Sequence, residues 1–190
     1  EGQTCTLPST NMASTTYRPP WWTTAYPKVP DNATIEKIVF ANSGDGAKRF
    51  VLTGFNAGMF MRTSSFFGNP TWGASAPSAK EALVNVTAIE GTETFDTSQV
   101  TSMLAMFQGP TSIESLNLTG WDTHNVKDMS WMFNAMSKAH DFEGLEDWKL
   151  SAPTNISFMF RYVGASEEAA GTMELDLSGW GTGVAGNTQG

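Results

Sequence analysis

Basic residues are scarce in this chain of 190 residues, with 11 Lys and Arg against 19 Asp and Glu and a formal net charge of -8. That sign is wrong for holding phosphate backbones or anionic lipid headgroups, so nucleic-acid binding falls away. Cysteine is almost absent, and the lone Cys5 leaves no internal disulfide to build with. No apolar run approaches the roughly 18 residues of a membrane span, so no direct membrane insertion is expected. The opening Glu1-Gly2-Gln3-Thr4-Cys5 does not read as a leader peptide. There are only two histidines, His124 and His140, and no His-Glu-x-x-His, Cys-x-x-Cys or phosphate-cradling Gly-rich motif. A hydrolase needs a nucleophile with a base and an orienter, and the sequence offers no such set. The acids Glu143, Glu146 and Asp147 lack the spacing of a calcium loop. The expectation is therefore no enzyme, no metal and no cofactor. Charged residues total 16%, against about 25% in ordinary soluble domains, and Thr, Ser and Gly fill the gap. Either the chain is cytosolic or a targeting segment has been removed, and this composition leans towards an exported protein, extracellular or at the cell surface.

What the chain does have is a repeat. Counting from an aromatic residue as zero, Phe95 opens Phe-Asp-Thr-Ser-Gln-Val-Thr-Ser-Met-Leu-Ala-Met-Phe, ending at Phe107. Trp121 opens a second copy that ends at Met132-Phe133, and Trp148 a third that ends at Met159-Phe160. The starts lie 26 and 27 residues apart, and Met-Phe recurs at offsets 11 and 12 each time. A fourth start at Trp180 follows Leu175-Asp176-Leu177, as Trp121 follows Leu116-Asn117-Leu118, with Gly164 to Thr172 read as an insertion. A degenerate earlier copy may be written from Phe55.

The spacing predicts the local structure. Leu116 and Leu118 are two apart and point one way in a strand, into a core, while Asn117 points out. Met129, Met132 and Phe133 have the 3 and 4 spacing of one helical face. Offset 7 holds Ser102, Asp128, Asn155 and Asn187, each able to accept from the free N–H groups of a first helical turn. The expected fold class is an α/β repeat, a short solenoid of about 26-residue coils, each strand, turn and short helix. Its core is expected to hold Leu116, Leu118, Trp121, Val126, Met129, Met132 and Phe133, with Met106, Phe107, Met159 and Phe160 from the flanking copies. Asn117, His124 and Lys127 are expected to be exposed.

Three segments follow from this. Residues 1–33 form an arm rich in proline and aromatics. Residues 34–82 form a β-rich N-terminal cap, in which Thr34–Phe40 and Lys48–Thr53 read as the two strands of a hairpin around Gly44-Asp45-Gly46. Residues 83–190 carry the repeats. In the arm, Trp21, Trp22 and Tyr26 either cover the flank of the repeats or stand exposed to anchor a partner. They are candidate partner-binding residues, together with Asn117 and His124.

The wording Trp-Asp-Thr-x-x-Val-x-x-Met-x-x-Met-Phe, with Leu-x-Leu before it, resembles the BspA-like leucine-rich-repeat surface proteins. These repeats are classed as a domain of unknown function in bacterial surface lipoproteins and wall-anchored proteins. The resemblance covers about residues 83 to 184 and departs from the pattern at Ala152, Pro153 and the insertion before Met173. It implies a leucine-rich-repeat-like fold and a non-catalytic adhesion or binding module, whose partner is a protein or glycan at a cell surface. The alternative is a structural subunit that packs against neighbours in an extracellular or organellar assembly.

Overall fold

The computed structural model describes residues 3–7, 35–40, 50–55, 86–150, 154–167, 169, 171 and 173–181. Seven strands are described: β1 (Gln3–Leu7), β2 (Ile35–Phe40), β3 (Phe50–Phe55), β4 (Ala88–Glu90), β5 (Phe95–Ser102), β6 (Ser115–Asn117) and β7 (Asp141–Glu143). All their pairings are parallel. β1, β2 and β4 make one sheet, β3 pairs with β5, and β6 pairs with β7. The hairpin expected over residues 34–53 does not form. β2 pairs with β4 in one sheet and β3 with β5 in another, because Phe40, Phe50 and Phe95 pack ring against ring between the two. Parallel neighbours need long crossovers, which adjacency in sequence does not reveal.

The α/β solenoid of strand, turn and short helix is overturned as well. Among the described residues there is no α-helix, only two single 3-10 turns at Thr92–Thr94 and Leu145–Asp147, and the strands form small, separate parallel sheets. The region expected to be helical is instead a run of tight turns. Met132 N–H donates to Met129 O (3.2 Å), Asn134 N–H to Trp131 O (3.1 Å) and Met136 N–H to Phe133 O (3.3 Å). The intervening N–H groups leave their own copy. Met129, Trp131, Phe133 and Ala135 donate to Asn155, Ser157, Met159 and Arg161 O at 2.8 to 3.0 Å. A helix would need those same donors for its i→i−4 bonds. An isolated segment of this length also gains too little from helix formation to hold them. The offset-7 side chains accept from the N–H two residues on: Leu104 to Ser102 Oγ, Ser130 to Asp128 Oδ1 and Ser157 to Asn155 Oδ1. They therefore shape turns rather than cap helices.

The core runs between the turns and the strands. Leu116, Leu118, Trp121, Val126, Met129, Met132 and Phe133 are buried, as are Met106, Phe107 and Met159, while Phe160 is half-buried against them. Equivalent rings of successive copies stack. Phe95 lies 5.7 Å from Trp121, Trp121 6.2 Å from Trp148, and Trp148 5.9 Å from Trp180, with interplanar angles of 19°, 10° and 8°. Phe107, Phe133 and Phe160 form a second column at 5.8 and 5.4 Å. Each such ring contributes about 1.5–3 kcal/mol by leaving water, with more from the offset stacking. His124 and Lys127 are exposed, but Asn117 is half-buried rather than exposed. Its carbonyl accepts from Thr92 Oγ1 of the preceding copy, and its Oδ1 accepts from Thr119 N–H at 3.0 Å.

Candidate functional site: an aromatic and arginine surface patch

Of the residues proposed from sequence as partner contacts, Trp21, Trp22 and Tyr26 lie outside the described residues. Asn117 is engaged in the turn just described. His124 stands exposed, with Nδ1 and its backbone N–H both on Asp122 Oδ1. Burial alone would raise the Asp122 pKa, but the His124 hydrogen bonds and charge outweigh it and hold the carboxyl below its usual range. Among the described residues, no hydrogen bond joins Asn117 to His124.

It does assemble a group that the repeat spacing gave no reason to single out. Offsets 10 and 14 are the third positions of the tight turns, and the backbone there has positive φ. The residues at offset 10 are Ala105 (φ 54°), Trp131 (61°) and Phe158 (57°), and at offset 14 Gly109 (93°), Ala135 (62°) and Tyr162 (60°). The third position of such a turn suits glycine, because a Cβ there crowds the backbone. The first copy has glycine at one of the two, Gly109, and the small Ala105 at the other. The second copy places Trp131 and Ala135 there, and the third places Phe158 and Tyr162.

The result is a patch on the surface. Trp131 and Phe158 sit ring to ring at 4.4 Å, both half-buried. Tyr162 is 57% exposed, the most exposed large hydrophobic side chain among the described residues. Arg161 lies among them, its Cζ 5.7 Å from the Trp131 ring, 5.7 Å from Phe158 and 4.6 Å from Tyr162. Its Nη2 donates to Tyr162 Oη at 3.0 Å.

Offset 13 explains how the arginine reaches this place. In the first two copies the position holds the buried amides Gln108 and Asn134, and Gln108 Nε2 donates to Asn134 Oδ1 at 3.4 Å. Asn134 Nδ2 in turn donates to the Arg161 backbone carbonyl at 3.0 Å, which anchors the backbone beneath the guanidinium. In the third copy the side chain at this position turns outward instead of continuing the amide row. The sequence does carry a signal for the patch: Ser130-Trp131-Met132-Phe133 and Ser157-Phe158-Met159-Phe160 each place one ring out of step with the buried pair.

Chemically, the patch offers flat apolar rings around one delocalised cation, which suits stacking and bidentate hydrogen bonding. Among the described residues no group of three or more His, Cys, Asp or Glu is placed to hold a metal ion, and no helix is long and apolar enough to cross a membrane.

Residues 78–187 match the family model described as Mycoplasma protein of unknown function, DUF285. No curated protein and no solved structure is significantly similar to the chain. The match spans more than half of the sequence and contains the whole aromatic patch, and the chain belongs to the DUF285 family.

Proposed function

We propose, from that membership and from the patch, that this chain is a non-catalytic binding module of the BspA-like surface-protein type. It acts at a cell surface or after secretion, and it engages a protein or glycan through Trp131, Phe158, Arg161 and Tyr162. The observation that carries this reading is the placement of Trp131, Phe158 and Tyr162 at positive-φ turn positions. Each left-handed non-glycine residue there costs about 1–2 kcal/mol. Glycine would relieve that strain at all three positions. Strained backbone that brings two half-buried rings and the exposed Tyr162 to one surface suits a contact face. Trp, Tyr and Arg are also the residues that dominate binding energy at interfaces.

The test is binding of the purified chain to protein and glycan arrays, compared with Trp131→Ala and Tyr162→Gly. Tyr162→Gly should leave thermal stability within about 1 kcal/mol of the parent, since relieved strain offsets the lost ring contacts and the added chain entropy. It should nevertheless weaken binding at least tenfold. Array binding that survives both substitutions would place the contact face elsewhere. Protease treatment of intact cells checks location, with loss of the chain expected without lysis.

A further inference from the structure

Resting on the reading of the patch as the contact face, we propose that Arg161 receives a single carboxylate of a partner protein, an Asp or Glu side chain flanked by apolar residues that lie on the Trp131 and Phe158 rings. Three observations carry it. First, the guanidinium is held in place before any partner arrives. Three rings surround it, and Tyr162 Oη takes one of its donors. A guanidinium has five N–H donors in a planar fork that matches a carboxylate, and one already ordered loses little freedom on binding.

Second, no ion pair engages Arg161 among the described residues. Lys37 pairs with Glu90 and His124 with Asp122, and Arg161 takes part in neither. Its half-buried position leaves it reachable from solvent. Third, the charge balance of the chain selects the kind of anion. A net charge of -8 repels polyanions such as nucleic acid, acidic polysaccharide or an anionic bilayer as they approach. One local cation set in an aromatic surface accepts one local acid, and a protein segment can present such an acid between apolar or basic neighbours. A protein segment also matches the Trp, Tyr and Arg make-up of the patch.

The probe is an array of random twelve-residue peptides, incubated with the labelled chain, each bound peptide then remade with its Asp or Glu changed to the amide. Bound sequences should be enriched in an acid next to an apolar residue, and the amide versions should bind about tenfold more weakly or worse. Arg161→Gln should abolish that acid preference, and Arg161→Lys should restore only part of it because the fork is lost. Tyr162→Gly should weaken both acid and amide peptides, and the acid ones more, because the guanidinium loses the ring and hydroxyl that hold it. Circular dichroism and thermal unfolding of each variant establish that it is folded. An unchanged acid-to-amide ratio in Arg161→Gln, or no acid enrichment at all, overturns the carboxylate while leaving the patch as contact face if Trp131→Ala still abolishes binding. Binding to uronate oligosaccharides but to no peptide also overturns it, in favour of a glycan. Peptide binding untouched by Trp131→Ala and Tyr162→Gly removes the contact face and this proposal together.

Discussion

Trp121, Trp148 and Trp180 occupy the same position in successive copies, but their indole N–H groups do not share one fate. Trp121 Nε1 donates to Thr92 O at 2.8 Å and Trp180 Nε1 to Leu145 O at 2.7 Å, whereas buried Trp148 Nε1 has no hydrogen-bond partner among the described residues. The cause lies in the turn each copy uses just before its aromatic residue. The first and third copies start theirs with a left-handed glycine, Gly91 or Gly144, followed by a 3-10 turn that offers a carbonyl to the next indole. The second copy uses Asn117, whose side chain closes the turn on Thr119 N–H. Trp121→Phe should therefore destabilise the protein by about 1–2 kcal/mol more than Trp148→Phe, since only the first loses a bond and strands an acceptor. Parallel urea titrations check this, and equal losses would mean that the Trp148 indole has found a partner. Asp122 makes a second prediction. Its carboxyl is held below the ordinary 3.8 by His124, so its contribution is present above that value and lost as pH falls through the lowered folded value. Asp122→Asn should lie below the parent in melting temperature near neutral pH and converge with it in strong acid. A gap that stayed constant with pH would separate the pair from stability.

Neighbouring copies are tied together by more than rings. Thr123 Oγ1 donates to Lys149 O and accepts from Lys149 N–H, both at 3.2 Å, and Thr97 does the same with Asp122 at 2.9 and 2.8 Å. One buried hydroxyl thus satisfies both backbone groups of the next copy. Thr123→Val keeps the shape but removes both bonds, and should cost about 1–3 kcal/mol by denaturant unfolding, while Thr123→Ser should recover most of it. Recovery by valine instead would show that water replaces the hydroxyl. The Thr of Trp-Asp-Thr was visible in the sequence as part of the motif, but its role was not, because a hydroxyl that joins two copies has meaning only once their register is known. The same limit explains the helix. Burial at offsets 8, 11 and 12 could be read from spacing, yet successive i→i+3 turns bury the same positions as a helical face does. What separates the two is the destination of the alternate N–H groups, and those go to another copy. The patch stayed hidden for a related reason: positive φ at Trp131, Phe158 and Tyr162 belongs to the backbone, and side-chain identity alone argues against it.

Among the described residues, the copies differ in how many neighbours they pack against. Phe133 has Phe107 stacked on one side and Phe160 on the other, and Phe142 and Trp148 close around it. Its N–H is bonded into the third copy, to Met159 O. Trp180 has described ring partners in Trp148 and Phe160, and its N–H closes a local turn on the carbonyl of the exposed Leu177. When units interact with their immediate neighbours, the ones partnered on one side open locally at lower free energy than those between two. Native-state hydrogen exchange should therefore show the Met103 and Phe107 amides, which donate into the middle copy, exchanging only by global unfolding, and the Trp180 amide about a hundredfold or more faster. Met132→Ala removes buried volume from the middle and should lower every protected amide together, by about 2–5 kcal/mol. Trp180→Ala should act mainly on amides of the third copy, such as Asn155 and Met159, and leave Met103 and Phe107 close to their parent values. Uniform protection from Met103 to Trp180, with both substitutions lowering all amides equally, would make the chain one cooperative unit. The contact patch would then share the full rigidity of the core. With unequal protection, Arg161 and Tyr162 lie toward the softer end, where a docked partner that orders the third copy would raise the protection of Asn155 and Met159 before that of Met103.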